Sequence, residues 1–117
     1  MMDLVQHIID QKSWSEETFG PSDRRGPEGV IDHLRKEIEE VTECPGDLEE
    51  WIDIVMLALD GAWRVGFTPW EISAMLASKL EKNRNRDWPD WRTAEPGKAI
   101  EHKRVYGFLH PDEEPGR

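Results

Sequence analysis

Four acids, Glu37, Glu40, Glu50 and Asp53, lie on two helical stretches between residues 27 and 63, and only the tripeptide Cys44-Pro45-Gly46 separates those stretches. Val30, Ile31, Leu34, Ile38 and Val41 mark one face of the first stretch at helical spacing. Proline cannot donate a backbone hydrogen bond and glycine relaxes the turn, so the helix must break there. A second helical run follows from Asp47 to Trp63, and so short a connection makes the two helices antiparallel neighbours. Folding about Pro45 sets residue 40 opposite 50 and residue 37 opposite 53. Spacing of i, i+3 within each helix then turns all of these acids towards one seam.

Like charges so placed repel and lose hydration, and they persist where something positive sits among them. Carboxylate oxygens suit hard divalent ions, here Mg²⁺ or Mn²⁺. Taken alone, Glu37, Glu40 and Glu50 fit equally well a solvated acidic face. Asp53 argues otherwise, because the run from Trp51 to Trp63 is apolar almost all round and predicts a buried helix. An acid there needs a partner. Asp60, about two turns further on, suits an ion pair with an Arg or Lys and stays outside the metal set.

Glu37-x-x-Glu40 followed by Glu50-x-x-Asp53 resembles the paired acidic motifs of the all-α nucleoside triphosphate pyrophosphatases, the MazG and all-α dUTPase superfamily. The nearest likeness is to its phage and prophage branch, the dATP/dGTP pyrophosphohydrolases. The landmarks TFGPSDRRGPEGVIDHLRKEIEEV, DLEEWIDIVMLALDGAWRVGF and KLEKNRNRDWPDWRTAEPGKAIEH carry it across roughly residues 6 to 104. Two departures stand out: Lys36 occupies a place where the family often has another acid, and the connector between the motifs is short.

The resemblance implies an all-α bundle of four to five helices around the acidic hairpin, assembled as a homodimer or homotetramer. It implies cleavage of purine deoxynucleoside triphosphates, dGTP or dATP, between the α and β phosphates. Glu37, Glu40, Glu50 and Asp53 would hold two or more Mg²⁺ or Mn²⁺ ions, which neutralise phosphate charge and acidify an attacking water. The sequence leaves open which group takes the proton. A role in a phage's nucleotide pool, in the cytoplasm of the host cell, would follow. Two readings from other classes compete: a catalytically inactive acidic helical inhibitor, and a structural oligomer whose acids pair across subunits.

The rest of the chain can be taken in order. Residues 2 to 13 predict a short helix capped by Asp3, with Leu4, Val5, Ile8 and Ile9 inward. Thr18 to Pro27, with its glycines, prolines and arginines, predicts a loop. Its plain reading is a surface connection. The resemblance favours substrate contact, with Arg24 or Arg25, Arg25 foremost, on phosphate and Trp14 and Phe19 covering the base. Pro27 opens the acidic helix. His33, one turn before Glu37, is read as an ordinary partly buried residue.

Gly66 ends the hairpin, and Thr68-Pro69-Trp70-Glu71 spells a capping box that starts a helix running to about Asp87. Ile72, Met75, Leu76 and Leu80 are expected to pack inward. Lys79, Asn83 and Arg86 form one stripe, which spacing alone reads as a cationic helix end favoured by the macrodipole. The resemblance assigns these three to triphosphate and sugar. Trp88 and Trp91 are expected at the core edge, with a subunit interface as the alternative, and a short helix is expected near Lys98 to Arg104 with a flexible tail over about 106–117.

Composition agrees with one domain spanning 1–117. A chain of 117 residues builds a modest core, to which oligomerisation commonly adds burial. The net charge of −10 argues against general affinity for nucleic acid or anionic membranes. Cys44, the single cysteine, excludes an internal disulfide framework and fits a reducing cytoplasm. No stretch reads as a signal peptide or membrane span.

Overall fold

A computed structural model of the chain describes residues 2–103. Among these there are four α-helices and no strand: α1 (Leu4–Phe19), α2 (Glu28–Glu43), α3 (Leu48–Arg64) and α4 (Pro69–Arg84), with a 3-10 turn at Trp91–Thr93. The chain divides into two compact units, one reaching Ala77 and the other beginning at Ser78.

Local chemistry sets the helix ends. The Asp3 carboxylate accepts from the Val5 N–H at 2.9 Å, satisfying one of the orphan donors of α1. That helix continues through Trp14 and Ser15 to Phe19, so the following loop begins at Gly20 and not at Thr18. Gly20 stops it with φ +104, a conformation that favours glycine. Pro27 stands at the cap of α2, one place before the first helical residue. Asp47 caps α3 by accepting from Glu49 N–H at 3.0 Å, and the Trp51 indole N–H donates to the Pro45 carbonyl across the connector. The capping box before α4 is reciprocal: Thr68 N–H donates to the Glu71 carboxylate, and Glu71 N–H donates to the Thr68 hydroxyl.

In the first unit α2 lies against α3, as the short turn requires, and α1 packs on α3. Ile8, Val30, Val41 and Trp63 are the buried apolar side chains. The α3 helix is not buried all round: its neighbours α1 and α2 cover only part of it, and Trp51, Ile52 and Val55 are about half exposed. Asp53 is exposed too. Ile31 and Ile38 on α2 are likewise open.

Of the residues expected to pack inward on α4, Ile72 is half-buried, while Met75 and Leu76 in the first unit and Leu80 in the second are exposed. Helical periodicity identifies an apolar face, but only a neighbouring element can cover it. The second unit holds the end of α4, which stops at Arg84 and short of Asp87. Trp91 is 69% exposed and does not seal the core of this chain, although Trp88 meets His102 edge to face. No helix forms over residues 98–103. Arg104 and the expected tail lie outside the described residues.

Candidate metal and nucleotide site

Glu37 and Glu40 occupy successive turns of α2, and Glu50 stands in the first turn of α3 beyond the Asp47 cap. Carboxylate oxygens of the three lie within 4.8 Å of one another. Glu37 is only 6% exposed, Glu50 is half-buried and Glu40 is open to solvent. One oxygen each of Glu37 and Glu50 is buried without a hydrogen-bond partner. Buried acceptors of this kind are costly and need a positive partner. Carboxylate oxygens are the donors that Mg²⁺ and Mn²⁺ take, so the set fits a hard divalent ion.

The same crowding raises the Glu50 carboxyl from an ordinary 4.5 to about 7, through lost hydration, hydrogen bonds with Glu37 and Glu40, and their negative charges. Without metal the folded chain therefore keeps this proton to a higher pH than the unfolded chain does. Its stabilising contribution is complete below about 4.5 and disappears as the pH rises through about 7. Melting temperatures in EDTA should fall across that window, and Glu50→Gln, which cannot ionise, should flatten the fall. Parallel curves for the two proteins would place the proton elsewhere.

Asp53 is not in the three-carboxylate group. It lines, together with Glu37, a cavity of about 350 Å³ between α1, α2 and α3. Trp14, Phe19 and Arg25 line the same cavity, and the two rings meet edge to face with centroids 5.5 Å apart. Arg24 is exposed and is not among the lining residues. His33 also lines the cavity, with Nε2 3.4 Å from a Glu37 oxygen. Its i, i+4 relation to Glu37 was the available sequence signal.

Two further cavity residues carried less signal. Gln11 is buried, donating to the Met56 carbonyl at 2.8 Å and meeting His7 Nε2 at 2.8 Å. Arg64 forms the ion pair that Asp60 called for. Lys79, Asn83 and Arg86 belong to the second unit. There Arg86 Nη1 donates to the Asn83 side-chain oxygen at 3.1 Å, while Arg86 Nε is buried without a partner.

Residues 8–105 match the dATP/dGTP pyrophosphohydrolase family. The chain belongs to that family. Among solved structures, the chain is similar to the cyanophage S-2L MazG-like pyrophosphohydrolase, bound to dGDP and three catalytic Mn²⁺ ions per active site. The two share 27% identity at a TM-score of 0.67, over 88% of this chain and 99% of that one. The Eaa protein of Salmonella phage P22 is 37% identical over 87 residues, 74% of this chain. This chain spans about a quarter of the Eaa protein's length, 26%. The family's MazG-like all-α fold is thus the fold of this chain, and the family is one of hydrolases.

Proposed function

We propose that this protein is a divalent-metal-dependent pyrophosphohydrolase that converts purine deoxynucleoside triphosphates, dGTP or dATP, and water to the monophosphate and pyrophosphate. The observation that carries the reading is the three-carboxylate group of Glu37, Glu40 and Glu50, with Glu37 also lining an aromatic-walled cavity. Membership of the family and the Mn²⁺ and dGDP of the cyanophage structure support it.

Glu37, Glu40 and Glu50 would hold Mg²⁺ or Mn²⁺, with Asp53 joining from the cavity wall. When bound, the metal neutralises triphosphate charge and lowers the pKa of water. The carboxylates keep their own positions because two rigid helices carry them, so little reorganisation accompanies reaction. One of them takes the proton that the attacking water releases. Trp14 and Phe19 offer faces to a purine, and Arg25 a guanidinium to phosphate. Lys79, Asn83 and Arg86 would serve the triphosphate and sugar, as the family resemblance suggests. The wider role is control of a phage nucleotide pool in the host cytoplasm. No described helix is long and apolar enough to cross a membrane.

Each deoxynucleoside triphosphate incubated with Mn²⁺ and resolved by chromatography tests the reaction. dGTP and dATP should give monophosphate and pyrophosphate in one step. A diphosphate product with free phosphate would overturn the cleavage position. Absence of both turnover and a metal-dependent thermal shift would return the chain to an acidic binding protein.

We also read the protein as a homodimer or a dimer of dimers. Ile38, Leu48, Trp51, Ile52 and Val55 on α2 and α3 are all about half exposed or more, and clustered open apolar side chains of this kind commonly mark a surface that another chain covers. Light scattering should give a multiple of 13.6 kDa, and a mass equal to that of one chain would refute the assembly.

A further inference from the structure

Asp60, Arg64 and Ser15 form a buried polar network that the proposed chemistry does not use, since none of the three touches the carboxylate group. Asp60 receives Arg64 Nε on one oxygen and the Ser15 hydroxyl on the other, the latter at 2.5 Å. Arg64 Nη2 donates to the Ser15 hydroxyl at 3.1 Å and lies 3.5 Å from its carbonyl. Arg64 Nη1 donates to two backbone carbonyls, Gly20 and Arg25, each at 2.9 Å. One guanidinium thus ties α1 and α3 to both ends of the connecting segment 20–25.

That segment is a wall of the cavity, through Arg25. Its inner turn is closed by Arg24 and Arg25 N–H groups donating to the Pro21 carbonyl. The Arg25 side chain runs close against backbone: a methyl group on Gly20 would lie 2.8 Å from its Cγ, and one on Gly29 would lie 3.1 Å from its Nη2. Arg64 thus holds the Arg25 backbone, while Gly20 and Gly29 leave room for its side chain.

Arg64 also lines the cavity, but every one of its nitrogens already donates within the protein, so it acts through what it holds. A buried ion pair is poor evidence for stability, because apolar replacements often do as well. Its definite effect is geometric: planar, forked donors fix carbonyls in direction as well as distance, which an ammonium cannot do.

We propose that Arg64, oriented by Asp60 and Ser15, is a positioning residue that fixes segment 20–25 as a preformed wall of the nucleotide cavity and so sets nucleotide affinity. This rests on the reading of the cavity as the nucleotide site. A preformed wall spares the cost of ordering the segment when ligand binds.

The test compares wild type, Arg64→Lys and Ser15→Ala by amide hydrogen exchange without nucleotide and by steady-state kinetics with dGTP and Mn²⁺. In Arg64→Lys, amides of residues 20–26 should exchange about tenfold faster or more, while those of the α2–α3 hairpin keep their wild-type rates. KM for dGTP should rise about tenfold while kcat falls less than about threefold, the pattern of lost binding and not lost chemistry. Ser15→Ala, which removes one hydroxyl, should move both readouts the same way by about threefold, and it decides the matter if Arg64→Lys fails to fold. Unchanged exchange over 20–26 overturns the clamp, and an unchanged KM with reduced kcat overturns its link to affinity. A wild type that hydrolyses no nucleotide overturns the proposed function, while hydrogen exchange still tests the clamp.

Discussion

Glu37→Gln should abolish turnover, losing about 10²-fold or more in rate as other preorganised charge-stabilising groups do when removed, and should weaken Mn²⁺ binding. Glu43→Gln should leave activity within about threefold and stability within about 0.5 kcal/mol, as for most surface changes. The pair is informative because Glu39-Glu40-Val41-Thr42-Glu43 literally spells an E-E-x-x-E motif, which would make Glu40 and Glu43 the metal residues. The family pattern that the chain resembles, a leucine three places before the second acid and an apolar residue directly after each ligand acid, favours the other frame: Leu34 precedes Glu37 by three, and Ile38 and Val41 directly follow Glu37 and Glu40. In the structure Glu37 is buried with an oxygen lacking a partner, and Glu43 is an exposed residue at the end of α2. Burial makes the Glu37 charge expensive without a cation and effective with one, whereas water already screens Glu43. Both variants can be assayed by pyrophosphate release and by calorimetric titration with Mn²⁺. Reversed behaviour of the two would shift the frame by three residues.

Asp60→Ala should cost about 3–5 kcal/mol of unfolding free energy, the usual penalty for stranding one member of a buried ion pair. The Asp60 carboxylate receives both Arg64 and the Ser15 hydroxyl in a place almost closed to solvent. Its removal leaves the Arg64 cation with carbonyls and a hydroxyl but no counter-charge. Urea unfolding followed by tryptophan fluorescence measures the loss. Such a decrement is a large part of the stability of a small domain. A loss below about 1 kcal/mol would mean that Arg64 swings out to water and that the network is loosely held.

Much of the fold was legible because its determinants are local. Asp3 and Asp47 cap α1 and α3, and Thr68 with Glu71 forms the capping box of α4, each through residues no more than three apart. Proline and glycine at 45–46 break the hairpin for reasons belonging to those residues alone. The sequence also determined that Glu37, Glu40 and Glu50 would meet, because the antiparallel pairing of α2 and α3 follows from their short connector.

What the tertiary structure decided was which side chains are dry. The run from Trp51 to Trp63 suggested a buried Asp53, yet Asp53 is exposed and, among the described residues, Glu37 is the acid most removed from water. Asp60 was recognisable as an acid needing a partner, but its tie to Ser15, and those of Arg64 to Gly20 and Arg25, join residues 39 to 45 positions apart. Met75 and Leu76 carry the apolar character of an inward face and remain exposed. Periodicity records the polarity of a helix face, a property of the segment itself. Burial is a property of whatever lies against that face, and in this chain those neighbours come from distant parts of the sequence.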